Sequence, residues 1–96
     1  MKVRLSPSAA IDFAGIIQGI ALENFAAAKK YQRHFRRRFK VLERFPLSGE
    51  ACPHLAAELR RTTVRQYAIY YRIRPAEVVI ARIIHGAQDH ESLVQE

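Results

Sequence analysis

Apolar residues recur at helical spacing through the first half of the chain and switch to alternation in the second. Val3 to Leu5 alternates briefly and stops at Ser6-Pro7, where a serine suits a helix N-cap and a proline the first helical position, so a strand leads into a helix. Ala9, Phe13, Ile16 and Ile20 recur at steps of four, three and four, and Ile17 and Ala21 widen the stripe into a core-facing surface. Asn24 is placed to cap a second helix, whose stripe runs through Ala28, Tyr31, Phe35, Phe39, Leu42 and Phe45 up to the breaker Pro46. These are two antiparallel helices. Pro46 to Glu58 contains Gly49, Pro53 and Cys52 and reads as a loop with one helical turn.

From Leu59 the period is two. Arg65 to Arg74 and Val78 to His85 are rich in tyrosine, isoleucine and valine, and Arg74-Pro75-Ala76-Glu77 joins them as a hairpin turn. Leu59 to Val64 adds a third strand, and Ser92 to Gln95 a short terminal turn or helix. Strict alternation puts Ile69, Tyr71 and Ile73 on one face with Val79, Ala81 and Ile83, and Tyr70, Arg72, Ile80 and Arg82 on the other. The first face is the expected core. The predicted class is α+β, an N-terminal strand and an antiparallel helical hairpin packed on one face of a small, mainly antiparallel sheet. The opposite face is expected to be open, basic and partly aromatic.

Length and charge narrow the picture further. The 96 residues suit a single domain over 1–96, and 49% hydrophobic with 26% charged residues excludes a disordered or collagen-like chain. Sixteen lysines and arginines against nine acidic residues leave a net charge of +7, which attracts anionic partners at long range. Lys29, Arg33, Arg36, Arg37, Lys40 and Arg44 lie on the second helix away from its apolar stripe, either as a solvated face or as a polyanion site. A single cysteine allows no intramolecular disulfide and points to a reducing compartment such as the cytosol. The most apolar run, 9–21, is interrupted by Asp12 and Gln18 and is too short to span a membrane. Its Gly15 and Gly19 are expected to let two helices approach closely.

Chemistry has few footholds. Only His85, Asp89 and His90 cluster among metal-ligand types, without a CxxC or HExxH pattern, so no metal is expected. Four scattered glycines form no phosphate loop, and no nucleotide or other small-molecule cofactor is expected. Cys52 lacks the setting of a nucleophile. Metal-free RNA cleavage needs only a base, an acid and cations for the phosphorane charge, which arginine, tyrosine and histidine supply. Arg61, Arg65, Tyr71, Arg72, Arg82 and His85 all fall in the sheet half, and the same surface suits binding of nucleic acid or an acidic protein without chemistry.

The order of elements, with Leu5-Ser6-Pro7, Phe45-Pro46, Leu59-Arg60, Tyr71-Arg72-Ile73 and Ile84-His85-Gly86-Ala87-Gln88-Asp89, resembles the RelE/ParE superfamily of toxins, and the HGxxD ending resembles its ParE branch. The resemblance spans nearly the whole chain. It implies a cytoplasmic prokaryotic toxin of a type II toxin-antitoxin system, neutralised by a cognate acidic antitoxin encoded nearby. DNA gyrase is then the implied target, and the ribosome with its mRNA the alternative. Nucleases of the superfamily carry an arginine three residues before the tyrosine of the Tyr-Arg pair, and here that position is Ala68. A nuclease would have to use Arg65, Tyr71, Arg82 and His85. A gyrase-directed or antitoxin-binding surface would use Arg60, Arg61, Tyr70, Arg72 and Arg82. A non-catalytic basic nucleic-acid-binding module is the third reading.

Overall fold

The computed structural model describes residues 1–94. Strand β1 (Lys2–Leu5) runs into helix α1 (Pro7–Glu23), which turns directly into α2 (Phe25–Arg44). A 3₁₀ turn (Pro46–Ser48) and the two-residue β2 (Glu50–Ala51) precede β3 (Arg60–Val64), β4 (Tyr67–Ile73), β5 (Glu77–His85) and α3 (His90–Val94). Gln95, the last residue of the expected terminal turn, lies outside the described residues. The sheet order is β1-β5-β4-β3-β2, with β1 parallel to β5 and every other pair antiparallel.

Cap chemistry sets the helix ends. Ser6 Oγ accepts from Ala9 N at 3.1 Å, and Pro7 follows at the first helical position. Asn24 serves both helices at once. Its N–H closes α1 on Ile20 O, while its Oδ1 accepts from Ala27 N and opens α2, so one residue makes the hairpin. The helices pack on the sheet through Ala9, Phe13, Phe35, Phe39 and Leu42, and the rings of Phe13 and Phe35 meet edge to face at 5.3 Å. Burying one such side chain stabilises by about 1.5–3 kcal/mol.

The sheet departs from strict alternation. Tyr70 pairs with Arg82 but Tyr71 pairs with Ile80, so Ala81 is an extra residue in β5, a β-bulge. The bulge inverts the first half of the strand. Val78 and Ile80, not Val79 and Ala81, join Ile69, Tyr71 and Ile83 in the core beneath the helices. Ser6 holds the bulge, its Oγ donating to Ala81 O at 3.0 Å and its N–H to Ile80 O. Phe45, expected in the core stripe, caps α2 and is exposed beside Arg44.

The far face of the sheet is not open. Leu55 and Ala56 of the 52–59 loop and Leu93 and Val94 of α3 cover it, burying Cys52, Leu59, Ala68, Tyr70 and Ile84 in a second, smaller core. The two glycines of α1 make no close helix contact either. A Cβ built at Gly15 or Gly19 meets nothing within 4 Å, and the face they share with Ile11 (74% exposed) and Leu22 (85%) points outward.

Candidate functional site

Tyr71 is expected in the core and Tyr70, Arg72 and Arg82 together on one open face; the structure buries Tyr71 as expected and gives the other three different surroundings. Tyr71 lies in the main core with no exposed area. Its hydroxyl donates to Pro46 O at 2.7 Å and accepts from Gly49 N at 3.0 Å, so both of its hydrogen-bonding roles are used by the backbone after α2. The approach requires glycine at position 49, where a Cβ would stand 2.5 Å from the Tyr71 hydroxyl and 2.6 Å from Arg61 O. Arg60 braces the same loop, donating through Nη2 to Leu47 O and Gly49 O.

Tyr70 is buried under α3 rather than displayed. Its hydroxyl meets His90 Nδ1 at 2.6 Å, and His90 Nε2 lies 3.0 Å from His85 O. A carbonyl only accepts, so Nε2 carries the proton and Nδ1 accepts from the phenol. Burial pushes the Tyr70 phenol above its ordinary range, consistent with a donor that keeps its proton. This linkage pins the first turn of α3 to the sheet. Cys52, in the same small core, is also raised by burial and stays a thiol.

Arg82 is held by Asp12 of α1, a partner sequence reasoning missed. Asp12 Oδ2 accepts from Arg82 Nε at 2.7 Å and from Ile83 N at 2.9 Å, while Oδ1 accepts from Arg82 Nη2 at 2.9 Å. The pair is largely sequestered, with 18% and 13% of the two side chains exposed. The backbone bond explains the location. β1 ends opposite Ile80, so the edge of β5 beyond it offers an unpaired N–H that a carboxylate on α1 can take.

Arg72 and Arg82 line one cleft of about 220 Å³ with Arg74, Ser6, Ser8 and Leu93. Arg72 donates to Ala57 O across the covering loop. Arg61 stays partly open beside Glu50, 3.3 Å from Nη1 to Oε1, and the Nε atoms of Arg60 and Arg61 are buried without a hydrogen-bond partner. At the other end of the sheet His85 faces the Tyr67 ring edge to face at 5.4 Å and accepts from Ala87 N through Nδ1.

Arg65, expected within a strand, sits in the two-residue turn between β3 and β4 at a φ of 54°. The turn aims it at α2, where Nη2 lies 3.1 Å from His34 Nε2. Arg65, His34, Arg37 and Arg38 line a cleft of about 340 Å³. Burial and the surrounding charges of Arg65, Arg37, Lys30 and Arg33 hold His34 below the ordinary histidine range. The basic face of α2 was legible in the sequence, but His34 and Arg38 as members of the cleft were not. The nuclease candidates Arg65, Tyr71, Arg82 and His85 thus fall into separate environments. Among the described residues no group of three His, Cys, Asp or Glu side chains converges on a metal position, and no helix is long and apolar enough to cross a membrane.

The family model for the ParE toxin of type II toxin-antitoxin system, parDE, matches residues 3–90. Among solved structures the fold is similar to the chromosomal ParDE TA system from P. aeruginosa, with a TM-score of 0.74 and 20% sequence identity over 88% of this chain and 95% of that one. No curated protein matches in sequence.

Proposed function

Because the chain belongs to the ParE toxin family of type II toxin-antitoxin systems, we propose that it arrests growth by inhibiting DNA gyrase in the cytoplasm and is neutralised by a cognate acidic antitoxin encoded nearby. The observation that carries the choice over mRNA cleavage is the sequestration of Tyr71. A phenol with no exposed area and both hydrogen-bonding roles taken cannot meet a ribose hydroxyl without dismantling the loop after α2. Ala68, where the superfamily's nucleases carry an arginine, is itself buried and supplies no charge to a phosphorane. Inhibition then proceeds by binding, with no cofactor.

The antitoxin reading rests on what remains exposed. Arg61 and Arg72 present positive charge around the covering loop. Ile11, Leu22 and Phe25 add apolar area on the helical hairpin, with Phe25 67% exposed. An acidic amphipathic segment meets both needs, and it folds on contact if disordered beforehand. Tyr70 and Arg82 support that surface from beneath rather than forming it.

Gyrase supercoiling assays with the purified toxin, run beside cleavage mapping on translating ribosomes, test the reading. Supercoiling should be inhibited, inhibition should disappear on adding antitoxin, and mRNA should stay intact. Codon-positioned cuts that vanish in His85→Ala, with supercoiling unaffected, would overturn it in favour of a ribosome-dependent endonuclease.

A further inference from the structure

The cleft between α2 and the turn joining β3 to β4 is a concentration of positive charge with no counter-charge. Its walls come from His34, Arg37, Arg38, Val41, Thr63 and Arg65, and no carboxylate is among them. Among the described residues Arg37 and Arg38 make no ion pair and no side-chain hydrogen bond. Arg65 has only His34. An arginine always donates, so His34 Nε2 is the acceptor, which leaves the ring neutral with its proton on Nδ1. A neutral imidazole orients the guanidinium without cancelling its charge. The backbone contributes as well, since Arg65 holds a left-handed φ of 54° that glycine, asparagine or aspartate ordinarily fills. The two-residue hairpin itself requires a positive φ in its turn, and it aims the Arg65 side chain at the arginines of α2.

We propose that this cleft binds the phosphate backbone of duplex DNA, with Arg37, Arg38 and Arg65 as the phosphate donors. Guanidinium forks match phosphate oxygens bidentately. The site also extends beyond one phosphate. Lys30, Arg33, Arg37, Lys40 and Arg44 are all exposed and recur at steps of three and four, one straight stripe spanning roughly 21 Å at ~1.5 Å per residue. That length follows several successive phosphates. Unpaired bases need aromatic platforms to stack on, and no phenylalanine, tyrosine or tryptophan lines the cleft, which favours a duplex over a single strand. These guanidinium groups are assigned to phosphates, which carry no sequence information, so the binding is independent of sequence. It does not depend on gyrase being the target.

Fluorescence anisotropy over a salt series tests the site, with a short labelled duplex, single-stranded RNA of equal length and inorganic phosphate as competitor. The duplex should bind most tightly, with the logarithm of affinity falling linearly against the logarithm of salt. The triple variant Arg37→Gln, Arg38→Gln, Arg65→Gly should lower that slope by about three units, roughly one per lost cation. Glycine at 65 accepts the left-handed backbone, so the variant keeps its fold, as its thermal midpoint will register. Arg74→Gln removes one charge outside the cleft and should leave the slope unchanged. The proposal is overturned if the triple variant keeps the wild-type slope, if single-stranded RNA binds as tightly as the duplex, or if dilute inorganic phosphate displaces the duplex completely.

Discussion

Replacing Asp12 with alanine tests whether one carboxylate on α1 locks the helical hairpin to the edge of β5. The change removes three hydrogen bonds at once, two to Arg82 and one to Ile83 N. It leaves a guanidinium 18% exposed without its carboxylate. Removing one partner of a buried pair costs about 3–5 kcal/mol. The residual exposure and the surviving bond from Arg82 Nη1 to Leu93 O at 2.9 Å put the loss at the lower end, about 3 kcal/mol. A chain of this size is stable by roughly 5–14 kcal/mol, so the variant should fold but melt roughly 12–24 °C lower. Asp12→Asn keeps the shape and one acceptor and should lose only about 1–2 kcal/mol. Adding Arg82→Met to Asp12→Ala removes the charge that Asp12 faced and should recover part of the loss. Urea unfolding of the two singles and the double yields the coupling energy, expected near 2–3 kcal/mol. A loss below about 0.5 kcal/mol for Asp12→Ala, with no coupling, would refute the lock and leave the pair as a surface-like contact.

Two further outcomes follow from the same geometry. Gly49→Ala should push the Tyr71 hydroxyl from its seat and cost about 1–3 kcal/mol, whereas Tyr71→Phe in that background should add little because the bonds are already lost; additive losses in denaturant titrations would count against the shared seat. His34 is held below its ordinary value by burial and by Arg65, Arg37, Lys30 and Arg33, so below about pH 6.5 the unfolded chain binds a proton that the folded chain refuses. Stability should therefore fall as pH drops through that window, and His34→Gln should flatten the fall in urea midpoint; an unchanged slope would remove His34 from the account.

Local chemistry in the sequence determined most of the architecture. Ser6-Pro7 and Asn24 mark helix ends because a side-chain oxygen satisfies a first-turn N–H within three residues, and Phe13, Phe35 and Leu42 mark the buried faces because the helical period returns them to one side. The ParE resemblance was legible for the same reason, as an order of short local motifs. Positions set by distant partners were not legible. The bulge at Ala81 depends on Ser6, 75 residues away, and shifts Val78 and Ile80 inward where alternation placed Val79 and Ala81. The turn at Arg65 contains no glycine or asparagine to announce it, and the sheet face expected to be open is closed by a loop and a five-residue helix too short to register as amphipathic. Asp12 reads in the sequence as a polar interruption of an apolar helix. Only the tertiary fold turns it into the partner of Arg82, 70 residues on, because β1 stops at Leu5 and leaves the edge of β5 with a donor that burial obliges the protein to satisfy.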